Sequence, residues 1–401
     1  MLRETDIGAW QHIDASRVQP YHSMQVWDGV SDSRISFDPE QTAGNNFLDS
    51  IFPKRNAPPA DYTVATMTEN PNLVSALLSR LSSLLAIDVL DKTRVDDISL
   101  GKETADLDLR SWPVLSLSGK SRKLAARLLV GADGANSPVR TFADITSRGW
   151  DYERHGLVAT LALEGPGWGG QHHKIAYQRF LPTGPVALLP LPGNAASLVW
   201  STTPAFAAKL KSLNPEDFVA MVNAAFRLLP VDLEYMLTHM SSGHADEVSW
   251  RQANTSFTPE RVPQTVVNVQ SGSVASFPLR MRHADTYTSE RVALLGDAAH
   301  SIHPLAGQGL NQGLGDAQSL ARHISRATDV GWDIGSSWAL DGYNAEQWAK
   351  NNAMLGTVDK LHKLYSAGSG PVVWGRSLGL DVVERVGWLK GAFMRSAGGM
   401  R

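Results

Sequence analysis

The chain has 401 residues, 43% of them hydrophobic, with a formal net charge of -3 and no cysteine. That length holds roughly two or three domains' worth of core, and a near-neutral charge without Lys/Arg blocks excludes a nucleic-acid groove. The missing thiols exclude disulfides, thiol nucleophiles, zinc–cysteine sites and iron–sulfur ligation.

The opening MLRETDIGAW has neither the layout of a secretory signal nor that of a transit peptide, and taken literally reads as cytoplasmic. No run reaches the ~18 apolar residues that span a bilayer. Residues 21–38 alternate like two strands around Asp-Gly and Ser-Asp turns, and are expected to form a hairpin. Residues 39–61, rich in Asn, Gly, Pro and Asp, read as a long surface excursion. In 69–85 Pro71 stands in a first helical turn, and Leu73, Leu77, Leu78 and Leu81 recur at helical spacing. VLSLSG and KLAARLLVGADG are expected strands that end in a turn at residue 134.

From 156 to 203 the punctuation of short apolar runs by Pro and Gly predicts a mixed or antiparallel sheet. Residues 205–241 read as helical, 263–280 and 290–295 as strands, and the chain from 309 onward as mostly helix. Blocks of α/β character thus alternate with sheet-like blocks, as in two domains threaded through each other. There are no repeats and no heptads.

Two stretches carry chemistry. LLVGADGANSPVR, 128–140, delivers a strand into an Asp133-Gly134 turn, and Ser137 and Pro138 are placed to cap a helix. Its N–H groups and positive helix end would suit an anion or a ribose, although an ordinary strand-to-helix connection gives the same pattern. In RVALLGDAAHSIHPLAGQGLNQGLGDAQSL, 291–320, a buried strand ends in Gly296-Asp297, where a carboxylate can accept from ligand hydroxyls. The loop from Pro304 to Asn311 then enters a helix whose buried face is expected to be Leu310, Leu314, Ala317, Ala321 and Ile324. Gly307 and Gly309 stand where side chains would block a flat ligand. His300 and His303 lack a third partner at ligand spacing and read as hydrogen-bonded histidines, with no metal.

Together, VGADGANSPVR and LLGDAAHSIHPLAGQGLNQGLGDA resemble the paired DG and GD motifs of single-component FAD-dependent aromatic hydroxylases, closest to the ubiquinone-biosynthesis hydroxylases. MQVWD at 24–28, QRFLPTGPVALLPL at 178–191 and SLVWST at 197–202 look like the eukaryotic mitochondrial branch, and the resemblance covers nearly all of the chain. It implies an α/β (mixed α+β) fold: a Rossmann-like FAD-binding domain of the aromatic-hydroxylase type, interleaved with a β-sheet substrate domain and followed by C-terminal helices. The expected bounds are 1–20, 62–150 and 286–330 for the FAD domain, 21–61 and 151–285 for the substrate domain, and 331–401 for the helical end. The family opens with a GxGxxG turn that this sequence lacks, so the chain is expected to be N-terminally incomplete, without the first βαβ unit or a transit peptide.

By the same resemblance, Gly296 and Asp297 would hold the ribityl chain of FAD, while Pro304, Gly307, Gly309, Leu310 and Asn311 would line the isoalloxazine. Asp133 and Gly134 would lie by the phosphates and the route of the reductant, and Gln178, Phe180, Leu188 and Pro190 would roof the substrate cavity. The implied reaction hydroxylates the ring of a polyprenylated ubiquinone precursor through a flavin hydroperoxide, and no catalytic acid or base stands out. The implied partners are the polyprenylated phenolic substrate, O2, an electron donor (a ferredoxin and ferredoxin reductase chain, or NAD(P)H) and other ubiquinone-synthesis proteins. The implied location is the matrix face of the mitochondrial inner membrane. Residues 360–399 alternate apolar and basic side chains, which fits either peripheral membrane contact or surface helices. Two alternatives stay open: a non-catalytic form that only joins the ubiquinone-synthesis assembly, and a flavin hydroxylase of soluble phenols.

Overall fold

The computed structural model describes residues 7–37, 63–119, 122–165, 170, 173–301 and 309–366. The long loop at 39–61, residues Pro304 and Gly307, His303 and the C-terminal stretch from 367 lie outside the described residues. The chain divides into two compact units: one gathers 77–152 and 279–360, the other the described parts of 12–76 with 153–278. Compared with the expected bounds, 12–20 and 62–76 go with the second unit, and 151–152, 279–285 and 331–360 with the first.

The second unit begins with β1 (Val18–Tyr21), the hairpin of β2 (Ser23–Asp28) and β3 (Arg34–Phe37), and β4 (Ala65–Thr68), which pairs antiparallel with β1. The hairpin forms as expected: Trp27 pairs with Arg34, and buried Asp28 accepts from the Val30 N–H at 3.0 Å and the Ser31 hydroxyl at 2.9 Å. Helix α1 (Asn70–Ser82) follows, with Leu73 buried but Leu78 49% exposed, so the predicted leucine stripe is only half inward.

In the first unit β5 (Val95–Leu100), β6 (Pro113–Leu117) and β7 (Lys123–Ala125) form an antiparallel sheet. Next come β8 (Leu129–Gly131) and the short α2 (Pro138–Phe142). Strand β9 (Ser147–Leu163) starts in the first unit and ends in the second.

There β10 (Ile175–Leu181), β11 (Gly184–Pro190) and β12 (Ala195–Thr202) continue the sheet in the order β9-β12-β11-β10-β2-β3. Among the described pairings in this order only β10–β2 is parallel, so the sheet is mixed. The helical stretch resolves into α3 (Pro204–Ser212), α4 (Pro215–Arg227) and α5 (Pro230–His239), each with Pro at its start. A further helix, α6 (His244–Ala253), was not read from the sequence. Alternation along the strands turns Trp27, Tyr177, Leu188, Leu198, Trp200 and Leu157 to one face, where Phe218, Met221 and Phe226 of α4 close the core. Each such side chain contributes about 1.5–3 kcal/mol of burial.

After β13 (Val266–Val269) and β14 (Ala275–Ala284) the chain returns to the first unit. It continues through β15 (Thr288–Ser289), β16 (Val292–Leu294), β17 (His300–Ser301), α7 (Gly309–Asp329) and α8 (Ser337–Ser366). Strand β16 pairs parallel with β8, Leu294 opposite Gly131, over a core of Tyr287, Val292, Leu294, Leu340 and Tyr343.

Candidate functional site

The strand pair β8–β16 brings the two sequence motifs together. Both strands end at the same level, Leu294 opposite Gly131, so the segments carrying Asp133-Gly134 and Gly296-Asp297 leave neighbouring strands at the same end of the sheet. Leu295 N–H donates to Gly131 O at 2.9 Å and continues the pairing to the edge of the turn. Arg140 ties the motifs together, donating to Ala298 O and to Ala135 O at 2.7 Å each. Sequence reading missed Arg140, whose only signal is a basic residue in the first turn of a helix that already has its cap.

The turn after β8 differs from expectation in what it offers. Ser137 caps α2 as predicted, accepting from Arg140 N–H at 2.9 Å, while Asp133 accepts from Val139 N–H at 3.1 Å. Pro138 has no N–H, and Thr141 N–H bonds Ser137 O. The first turn of α2 therefore keeps no donor for an anion. What remains open is Gly134, at φ +86, with no atom within 4 Å of where a Cβ would stand.

At the second turn Gly296 adopts φ +55, which favours glycine, and a Cβ on Gly313 of α7 would lie 3.4 Å from its Cα. Helix and turn are thus in backbone contact. The next residue, Asp297, is exposed at the C-terminal end of the strand. Gly309 opens α7, and Leu310, 52% exposed, and Asn311 lie on its first turn, where backbone N–H groups have no intrahelical acceptor.

The buried face of α7 is not the predicted one. Gln312, Asp316, Ser319, Leu320 and Ala327 point inward, while Leu310 and Ala321 are exposed. The reason is Asp316, whose carboxylate receives Gly296 N–H at 3.1 Å, His300 Nε2 at 2.6 Å and Asn351 Nδ2 at 2.9 Å. Asn351 also reaches the Tyr287 hydroxyl at 3.3 Å, and His283 Nε2 hydrogen-bonds that hydroxyl at 2.8 Å. Burial, then the neighbouring His300, lowers the His283 pKa from 6.5 to about 4. His300 is therefore the hydrogen-bonded histidine expected, and no cluster of three metal-ligating side chains occurs among the described residues.

The four residues expected to roof a substrate cavity do not share a face. Tyr177 pairs with Leu188, so Leu188, and with it Pro190, faces the helical core. Both line a small cavity with Leu163, Tyr177, Pro263 and buried Lys174, whose Nζ donates to Gly193 O at 2.7 Å. Gln178 and Phe180 alternate to the opposite face, beside Val26 and Ala187.

An exposed carboxylate at a strand end, an open left-handed glycine and an exposed leucine at a helix start fit a ligand that joins a hydroxylated chain to a flat ring. FAD has that form. The FAD binding domain family matches residues 38–356. The mitochondrial ubiquinone biosynthesis monooxygenase COQ6 of Saccharomyces cerevisiae is 38% identical over 96% of this chain and 77% of its own length. The Homo sapiens protein of that name is 36% identical over 98% and 79%. Among solved structures, p-nitrophenol 4-monooxygenase PnpA from Pseudomonas putida shares the fold at a TM-score of 0.62 and 16% identity, covering 96% of this chain and 83% of its own. With the family matched over residues 38–356 and relatives 36–38% identical over 96–98% of the chain, the chain belongs to the ubiquinone biosynthesis monooxygenases, FAD-dependent oxidoreductases.

Proposed function

We propose that this chain hydroxylates the aromatic ring of a polyprenylated ubiquinone precursor in mitochondria, on the matrix face of the inner membrane. The carrying observation is the juxtaposition of the DG and GD turns on adjacent parallel strands, in a chain 38% identical to a ubiquinone biosynthesis monooxygenase. In this reading the first unit binds FAD: Asp297 and Gly296 hold the ribityl chain, and Leu310, Asn311 and Gly309, with Pro304 and Gly307, line the ring. Asp133, held by its bond to Val139 N–H, and Gly134 stand by the phosphates and the reductant's route.

When bound, FAD supplies the activation of O2, with electrons from a ferredoxin chain or NAD(P)H. The chain's own task is to bind, orient and exclude water. The apolar face carrying Gln178 and Phe180 is proposed to roof the substrate, with Leu188 and Pro190 backing it from the core side. The C-terminal stretch is proposed to meet the membrane, where a lipid-tailed substrate resides.

Expression in a yeast strain lacking its own ring monooxygenase tests the proposal. Restored ubiquinone and a yellow purified protein with visible flavin absorbance are expected. Retained flavin without rescue points to a related hydroxylase of soluble phenols. A folded, colourless protein that restores no ubiquinone points to a member of the synthesis assembly without catalysis.

A further inference from the structure

The buried carboxylate under the GD turn has a role that burial alone does not explain. Asp316 is 0% exposed and carries three hydrogen bonds. Fully burying a carboxylate is costly even when it is paired, and an apolar side chain of similar volume often serves a core as well or better. A residue kept only for packing at this inward position would be apolar, as Leu320 is one turn further on.

The identity of the donors says what the carboxylate is for. Oδ2 accepts both the backbone N–H of Gly296 and Nε2 of His300, the two ends of the turn that contains Asp297. Oδ1 accepts from Asn351 on α8. Gly313, one helical turn before Asp316, lets α7 approach the turn closely enough for this reach. The segment 296–300 is therefore fastened at both ends to one carboxylate on the helix that begins at Gly309.

We propose that Asp316 is a positioning residue for flavin binding: its carboxylate, through Gly296 and His300, fixes where Asp297 presents its own carboxylate to the cofactor and where α7 begins. This rests on the reading of Gly296 and Asp297 as the ribityl-binding turn. Hydrogen bonds weaken steeply with angle, so a directional clasp sets the turn more tightly than apolar packing does. An amide at 316 has a single acceptor oxygen. Whichever way it faces, either the Gly296–His300 pair or Asn351 loses its acceptor.

The test uses the full chain and FAD itself. Asp316→Asn, His300→Phe, His300→Gln, Asp297→Ala and the core control Leu320→Ala on the same helix are compared. The readouts are the FAD dissociation constant by flavin fluorescence quenching, the visible circular dichroism of bound flavin and the melting temperature of the apoprotein. Asp316→Asn and His300→Phe are expected to weaken FAD binding about tenfold or more and to alter the flavin dichroism. Leu320→Ala should lower the melting temperature at least as far, with a near-normal FAD constant. His300→Gln, which can still donate to the carboxylate, should recover part of the loss.

The positioning role is overturned if Asp316→Asn and His300→Phe bind FAD as Leu320→Ala does, with unchanged dichroism. Should Asp316→Asn not fold, the two His300 variants decide alone. An unchanged FAD constant in Asp297→Ala overturns the ribityl reading and with it this inference. Loss in Asp297→Ala without loss at 316 and 300 overturns the inference only.

Discussion

The two units bury different things behind their sheets. In the second, α4 turns Phe218, Met221, Val222 and Phe226 onto Leu157, Leu198 and Trp200. In the first, the helix that backs the short parallel pair turns Gln312, Asp316 and Ser319 inward. Apolar burial is roughly proportional to area and indifferent to direction, so it holds a scaffold. Hydrogen bonds to a buried carboxylate are directional, so they hold a turn. The contrast teaches that volume specifies the scaffold behind the second unit's sheet, while angles set the turn at Gly296–His300 in the first.

The largest expected effect lies in the apolar unit. Phe218→Ala should cost about 3–5 kcal/mol in urea unfolding, while FAD affinity in the folded fraction stays near that of the parent. A parallel loss of FAD affinity would break the distinction. Arg179→Met comes next. The buried Arg179 donates to Ala225 O at 3.0 Å, Leu228 O at 2.8 Å and Gly29 O at 3.3 Å, and burial lowers its pKa to about 10, so it stays charged at neutral pH. Leaving those carbonyls without a donor should cost about 2–3 kcal/mol by the same measurement.

In the first unit, Gly296→Ala forces a side chain into φ +55 and should cost about 1–2 kcal/mol. Its FAD constant, read by fluorescence titration, should worsen by more than that of a surface substitution.

The smallest effect is a pH dependence. His283 packs on Tyr287 and Trp348, ring centroids 5.5 and 5.1 Å away, and its pKa falls from 6.5 to about 4 through burial and His300, against the opposing pull of Asp285 and Asp316. The unfolded chain thus binds the proton more readily than the folded one between those values. Stability is complete above about pH 6.5 and declines as pH drops toward about 4. Thermal melts across that window should show the decline, and His283→Phe should flatten it.

Much of this was legible from local pattern. The hairpin at Asp28, the capped start of α2 at Ser137-Pro138, and the strands and helices from 156 to 239 follow from turn chemistry and periodicity. Helix α6 was missed because its sequence, HADEVSWRQA, buries only His244 and Val248 and so lacks an apolar stripe. The inward face of α7 was misread for the opposite reason. An apolar stripe exists there, but the acceptor needed by Gly296 and His300 rotates Asp316 to the inside. Gln178 and Leu188 read as neighbours in one strand-rich segment, yet pairing register sends them to opposite faces of the sheet.

The sequence by itself determined the family, the cofactor and the two turns, because those depend on residue types at short range: a glycine where φ is positive, an aspartate at a strand end, a proline at a helix start. Only the tertiary structure decided that Arg140 joins the two turns and that Asp316 underpins one of them. Each of these depends on which distant donor an acceptor meets. Periodicity fixes a residue's place around its own helix or strand, and carries no information about the partner brought against it.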